Sequence, residues 1–178
     1  MASKKRQPAK SKRQSKKSSA KGVKPTACSA PSTRFGMYRH ILITTDGSKL
    51  AHKAAVHALS LAKALGARTT VLTVEPSFAT SRFVEHGQEW AALTATALNA
   101  IADEAKVAGV QCETVRMKQP DPHEAIVAVA TDKGCDLIVM GSHGRSGIVK
   151  MIVGSVTAKV VAQASVPVLV YHSGVQSE

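Results

Sequence analysis

Asp136-Leu-Ile-Val-Met-Gly-Ser-His-Gly-Arg-Ser-Gly147, continued by Ile-Val-Lys-Met-Ile-Val-Gly154-Ser155-Val-Thr-Ala158, is the stretch that decides how this chain is read. Leu137 to Met140 is an unbroken apolar run, too short for a helix of its own and ended at once by glycine, so it predicts a buried parallel strand. Gly141, Gly144 and Gly147 follow in a loop. Glycines there can take positive φ, or let backbone N–H groups approach an oxyanion with no Cβ in the way. From Gly154-Ser155 a helical pattern runs through Val156, Lys159, Val160 and Gln163. The N–H groups and positive dipole end of its first turn are a second anion-binding element. Strand, glycine loop and helix start together outline a phosphate cradle. Its spacing, Gly141-x2-Gly144-x9-Gly154-Ser155, is neither GxxxxGK(S/T) nor GxGxxG, so the P-loop and dinucleotide mechanisms do not apply.

Upstream, His40-Ile-Leu-Ile-Thr-Thr45 is another apolar, β-branched run, stopped by Asp46-Gly47-Ser48, and predicts the first strand. A helix follows from Lys49, with Leu50, Ala54, Ala58, Leu61 and Leu65 on one face, Ser48 or Asp46 as its cap and Gly66 as its stop. Arg68 to Val74 is a second strand, closed by Glu75-Pro76. The segment from Ser77 to about Glu85, with Phe78 and Phe83, is a connector without an assigned course. Trp90, Leu93, Ala97, Ile101 and Ala105 mark the next helix, ending near Gly109. Val110 to Lys118 alternates as a third strand with Cys112, Thr114 and Arg116 on one face. Asp121 caps and Pro122 opens a helix with a buried stripe of Ala125, Ile126, Val129 and Ala130. Val166 to Tyr171 is the last strand, and Pro167, which cannot donate to a ladder, places it at an edge.

The resulting βαβαβαβαβ order predicts an α/β domain: a five-stranded parallel sheet, right-handed crossovers and helices on both faces. A strand order of 3-2-1-4-5 sets the first and fourth strands side by side, and ligands of such sheets sit beyond the carboxyl ends where the order reverses. Asp46, Val74 and the glycine loop all lie at those ends.

Charge is divided unevenly along the chain. Residues 1–36 hold eleven of the 24 Lys and Arg and none of the twelve Asp and Glu, so nearly all of the formal +12 sits there. This basic, aliphatic-poor arm is expected to be disordered. It can contact nucleic acid nonspecifically by counterion release, without the base-stacking that interleaved aromatics would add. The plainer readings are a solvated extension, or sequence upstream of a start at Met37. An organellar transit peptide is a further reading, since the arm is basic, Ser-containing and free of acidic residues, although it lacks amphipathic periodicity. There is no apolar h-region and no run of eighteen apolar residues, so neither a secretory signal nor a membrane span is expected. Cys28, Cys112 and Cys135 have no CxxC spacing, which points away from zinc and disulfides and towards a reducing, cytoplasmic setting. Cys112 and Cys135 are expected at strand edges as small hydrophobes. The expected layout is an arm (1–36), a domain (37–173) and a short tail (174–178).

Taken together, Tyr38-Arg-His-Ile-Leu-Ile-Thr-Thr-Asp46-Gly-Ser48, the stretch from Asp136 to Gly144 with its G-x2-G-x9-G-(S/T) spacing, and Ser165-Val-Pro-Val-Leu-Val170 resemble a single-domain universal stress protein. The resemblance covers Tyr38 to Tyr171. It implies a Rossmann-like, adenine nucleotide alpha hydrolase-like fold and, because the glycine pattern is complete, the ATP-binding branch of the family. Carried over, Asp46 lies by the ribose or adenine and Val74 offers its backbone to adenine. Met140, Gly141 and Gly144 follow the phosphates and ribose, and Gly154, Ser155 and Val156 make a second phosphate contact. Thr44 and His143 complete the expected set; Arg145 either touches a phosphate or is solvated. The family's last strand commonly pairs with its copy in a second subunit, which here implies a homodimer through Val168, Leu169 and Val170, with Pro167 limiting the pairing.

Each position also has a plainer role: Asp46 as a helix cap, Ser155 as a helix-start residue, His143 as an exposed loop histidine with no Ser, Cys or acidic partner evident in the loop, and Ser142 and Ser146 as turn residues. No Walker lysine, paired carboxylates or triad order is present, so no catalytic residue is named. Mg2+ with ATP is compatible with Asp46, though one carboxylate fixes little. The expected function is an ATP-binding stress-response regulator, a nucleotide-dependent dimeric switch. The alternatives are a slow ATPase or autophosphorylating enzyme, and a nucleic-acid-associated protein working through the arm.

Overall fold

Apolar, β-branched runs form the strands and small-residue stripes face the helices onto them. The computed structural model describes residues 37–75, 81–144 and 153–172, with backbone only for 81–88. In chain order the elements are β1 (His40–Thr44), α1 (Lys49–Leu65), β2 (Arg68–Glu75), α2 (Ser81–Ala108), β3 (Cys112–Lys118), α3 (Pro122–Asp132), β4 (Leu137–Gly141), α4 (Ser155–Gln163) and β5 (Val168–Tyr171). All pairings are parallel, in the order β3-β2-β1-β4-β5. Ile41 stands opposite both Thr69 and Leu137, and Gly141 opposite Tyr171. The predicted alternation and strand order are therefore observed. The arm, Cys28, Phe78, Arg145, Ser146, Gly147 and the tail from 174 lie outside the described residues, as does the side chain of Phe83.

Alternation along the strands divides the core in two. Ile41, Ile43, Val71, Leu137 and Val139 pack with α1 and α2, while Leu42, Leu72, Ile138 and Met140 pack with α3 and α4. On α1 the buried stripe is Ala51, Ala54, Ala55, Ala58, Leu59 and Ala62, and Leu50, Leu61 and Leu65 are half-buried flanks. The expected leucine-centred face is thus rotated towards methyl groups, which let the helix lie close to the sheet. Ser48, not Asp46, caps α1, its hydroxyl accepting from Ala51 N at 3.2 Å, and Gly66 ends it with φ 67°. Three other expectations need correction. Ser81 to Glu85 is already helical, and on α2 Leu93 is 54% exposed while Thr94, Leu98, Ile101 and Ala105 are buried. Asp121 occupies the cap position of α3, but its side chain makes no cap hydrogen bond. Burial pushes the Cys135 thiol up to about 11, with the Asp136 charge adding to the rise, so it stays protonated as the small hydrophobe expected.

At the amino ends of the strands, Asp136 accepts from Arg39 N and His40 N at 2.8 and 3.0 Å. The buried His40 ring lies 3.1 Å from Lys133 O through Nδ1 and 2.8 Å from Thr70 Oγ1 through Nε2. Lys133 O can only accept, which assigns the proton to Nδ1 and makes Nε2 the acceptor of the Thr70 hydroxyl. Burial, and then the charge of Arg68, lower the His40 pKa from 6.5, against smaller opposing effects of the Lys133 carbonyl, Asp136 and Glu113. Below that value the unfolded chain binds the extra proton more readily than the folded one. The contribution of His40 is complete above the unfolded pKa and is lost as the pH falls through the folded one. Denaturant midpoints are expected to drop as the pH falls below 6.5, with a shallower slope in His40→Gln. An equal slope in both proteins would remove His40 as the cause.

Candidate functional site

β1 and β4 are neighbours whose chains leave the sheet towards opposite faces, to α1 and α4, and the gap at their carboxyl ends is a cavity of about 240 Å3. Thr44 and Asp46 border it from the end of β1, Val74 from the end of β2, and Met140, Gly141, His143 and Gly144 from β4 and its loop. Gly154, Ser155 and Val156 border it from the start of α4, so the structure gathers all ten positions named from the sequence around one cavity. The lining also takes in Trp90 of α2 and Pro122 and Ile126 of α3, which the sequence reading did not assign to the site.

Local hydrogen bonds shape the polar wall. Asp46 Oδ1 accepts from Ser48 N at 3.0 Å and Thr45 Oγ1 accepts from Gly47 N at 3.1 Å, turning the chain sharply into α1. Gly154 N donates to Ser142 O at 2.7 Å, and the Thr157 hydroxyl donates to Gly141 O at 3.0 Å. These two bonds clamp the start of α4 onto the end of β4. Gly154 as N-cap has no side chain to cap α4, and the first turn of that helix, Ser155 to Thr157, borders the cleft, where its N–H groups suit an acceptor.

The glycines work by close approach and not by positive φ, since Gly141, Gly144 and Gly154 are all outside the left-handed region. A Cβ at Gly144 would meet Asp46 Oδ2 at 2.8 Å, and one at Gly154 would meet Ser142 O at 3.3 Å. A cradle that a single Cβ would fill is what the glycine spacing requires.

His143 differs from the exposed loop histidine of the plainer reading. It is half-buried, borders the cleft, and its Nδ1 lies 2.9 Å from Ser142 Oγ, which is also 2.9 Å from Nδ1 of His172 just beyond β5. Ser142 is thus a partner that the sequence reading did not find. It is only 1% exposed and fastens two rings, a structural clip and not an accessible nucleophile. Among the described residues no cluster of three or more His, Cys, Asp or Glu could hold a metal ion, and no helix is long and apolar enough to cross a membrane.

A doubly wound parallel sheet in this strand order, with its cleft at the β1–β4 reversal, is an adenine nucleotide alpha hydrolase-like domain. The family model of the universal stress proteins matches residues 37–172, and the chain belongs to that family. Universal stress protein MJ0531 of Methanocaldococcus jannaschii is 34% identical over 147 residues, covering 75% of this chain and 82% of that one. Among solved structures, protein MJ0577 of the same organism superposes with a TM-score of 0.63 at 30% identity, covering 77% of this chain and 97% of the other. A universal stress protein in complex with cAMP superposes with a TM-score of 0.59 at 29% identity, covering 76% and 97%.

Proposed function

We propose that this protein binds ATP in the β1–β4 cleft and acts as a nucleotide-dependent, dimeric switch in a stress response. One observation carries the reading. Apolar side chains (Leu72, Val74, Trp90, Pro122, Ile126) and the glycine-rich backbone of Gly141, Gly144 and Gly154 with the start of α4 line the same cavity, the pair of surfaces that a base and its phosphates require. The cAMP complex of a relative supports an adenine nucleotide as the ligand class. In this reading the loop from Met140 and Gly141 to Gly144, with His143, follows the phosphates and ribose, Gly154, Ser155 and Val156 make a second phosphate contact, Asp46 lies by the ribose or adenine beside Thr44, and Val74 offers its backbone to adenine. Mg2+ arrives with ATP and is held mainly by phosphate oxygens, Asp46 being the one carboxylate among the described residues of the lining. The test is to purify the chain without added nucleotide, release bound small molecules with acid, identify them by mass spectrometry and titrate ATP calorimetrically. Stoichiometric ATP, weakened in Asp46→Ala and Gly141→Val, supports the reading; an empty chain that ignores added ATP defeats it.

The dimer half of the proposal rests on β5. It is an edge strand with Leu169 40% exposed, and Val161 of the adjoining α4 is 53% exposed. Leu169→Asp combined with Val161→Asp is expected to turn a dimer into a monomer in light scattering, with unchanged helix content. A dimer that persists would place the interface elsewhere. For the arm we propose a nonspecific nucleic acid contact, in which DNA affinity falls by roughly 0.9 log units per log unit of salt for each phosphate neutralised. A chain starting at Met37 should lose that affinity, and equal binding by the shortened chain would rule the contact out.

A further inference from the structure

Much of the cleft lining is apolar. Leu72 and Val74 come to it from β2, Pro122 and Ile126 from α3, and Trp90 from α2. Trp90 is the chain's single tryptophan. The turn of α2 that carries it is fastened to the strand ends through one buried carboxylate. Glu75, directly after Val74 and 7% exposed, pairs with Arg116 of β3. The Thr94 hydroxyl has Trp90 O at 2.9 Å, Ala91 O at 3.1 Å and Glu75 Oε1 at 3.4 Å within reach, and Arg116 extends a further contact to Ala91 O at 3.4 Å. β2, β3 and the Trp90 turn therefore meet on one anchored group. A carboxylate is costly to bury, and here it fixes the placement of a rigid aromatic at the cleft.

We infer that Trp90 is a base-recognition residue, the wall against which the nucleotide's purine ring stacks, and that Glu75, with Thr94 and Arg116, is the positioning group that holds it there. The inference rests on the nucleotide-binding reading above and adds the residue that reads the base. An indole loses little freedom on binding, and aromatic–base stacking depends on the area of the π-face, so a purine gains more than a pyrimidine. The glycine cradle, by contrast, contacts only what all nucleoside triphosphates share.

The test uses the full chain. ATP is expected to change Trp90 emission with a midpoint equal to the calorimetric Kd. Trp90→Ala should raise the Kd for ATP about 10-fold, Trp90→Phe about threefold or less, and Trp90→Ala should narrow the preference for ATP over CTP. Inorganic tripolyphosphate, which has no base, should bind Trp90→Ala as it binds the natural chain. Glu75→Gln should shift the emission of the ligand-free protein and weaken ATP binding, yet add nothing on top of Trp90→Ala, because the carboxylate acts through the indole. Calorimetric ATP binding without any change in emission, or Trp90→Ala with an unaltered Kd, overturns the inference and leaves the nucleotide reading standing. No ATP binding by the natural chain overturns both. Should Trp90→Ala lose its circular dichroism spectrum, the emission titration and Trp90→Phe decide: a silent titration is a refutation.

Discussion

Gly144→Val is expected to raise the Kd for ATP about 100-fold or more, close to 2.7 kcal/mol, while the far-ultraviolet spectrum and thermal transition stay near those of the natural chain. The position is exposed and its backbone lies outside the left-handed region, so the substitution brings no backbone strain. Its whole effect is steric. The first added carbon stands 2.8 Å from Asp46 Oδ2, and Asp46 cannot turn aside freely because Oδ1 holds Ser48 N. Either the carboxylate leaves its turn or the loop shifts into the cleft, and both take up volume that the proposed ATP would need. Calorimetry beside circular dichroism checks it. An unaltered Kd in a folded Gly144→Val chain would show that ATP sits outside this cleft.

A comparable effect, on stability instead of binding, is expected of Ile138→Ala. Ile138 is fully buried in β4, opposite Leu42 of β1 and Val168 of β5, in the core layer that contains Ile126 and Val160. Removing three carbons from that fully buried layer leaves a void that its close-packed neighbours fill only in part. The expected cost is about 3 kcal/mol out of a total of roughly 5–15, read as a drop of about 10 °C in Tm. A loss below about 1 kcal/mol would mean that this layer is more loosely packed than the burial of its members implies.

The cradle was legible because its parts are local. Leu137 to Gly141, the glycine spacing and the start of α4 lie within a few turns of chain, and period and composition identify each. The misreadings have a common origin in packing between distant segments. Leucines outweigh alanines in any apolar pattern, yet the closeness of α1 to the sheet selects the Ala51, Ala55 and Ala62 side. Thr94 takes the buried place given to Leu93 because its hydroxyl finds Trp90 O, Ala91 O and Glu75. His172 reaches Ser142 only through the register that sets Gly141 opposite Tyr171. Trp90 and Pro122 enter the cleft through the arrangement of α2 and α3 over the strand ends. No short window of sequence contains that arrangement.

The pairing of β1 with β4 also sets an order of events during synthesis. His40 and Asp136, which join the two strands at their amino ends, are 96 positions apart, and closing so long a loop makes this contact slow to form relative to the hairpin-scale pairings of helix and strand beside it. β1, α1 and β2 can associate while the rest is still on the ribosome, but the cleft has no second wall until β4 has been made and has docked. Under the ATP-binding proposal, the nucleotide meets its surface only at the end of folding, and a hundredfold excess over Kd would favour the closed chain by about 2.7 kcal/mol. The same ligand would then act on the closing of the chain as well as on the finished fold.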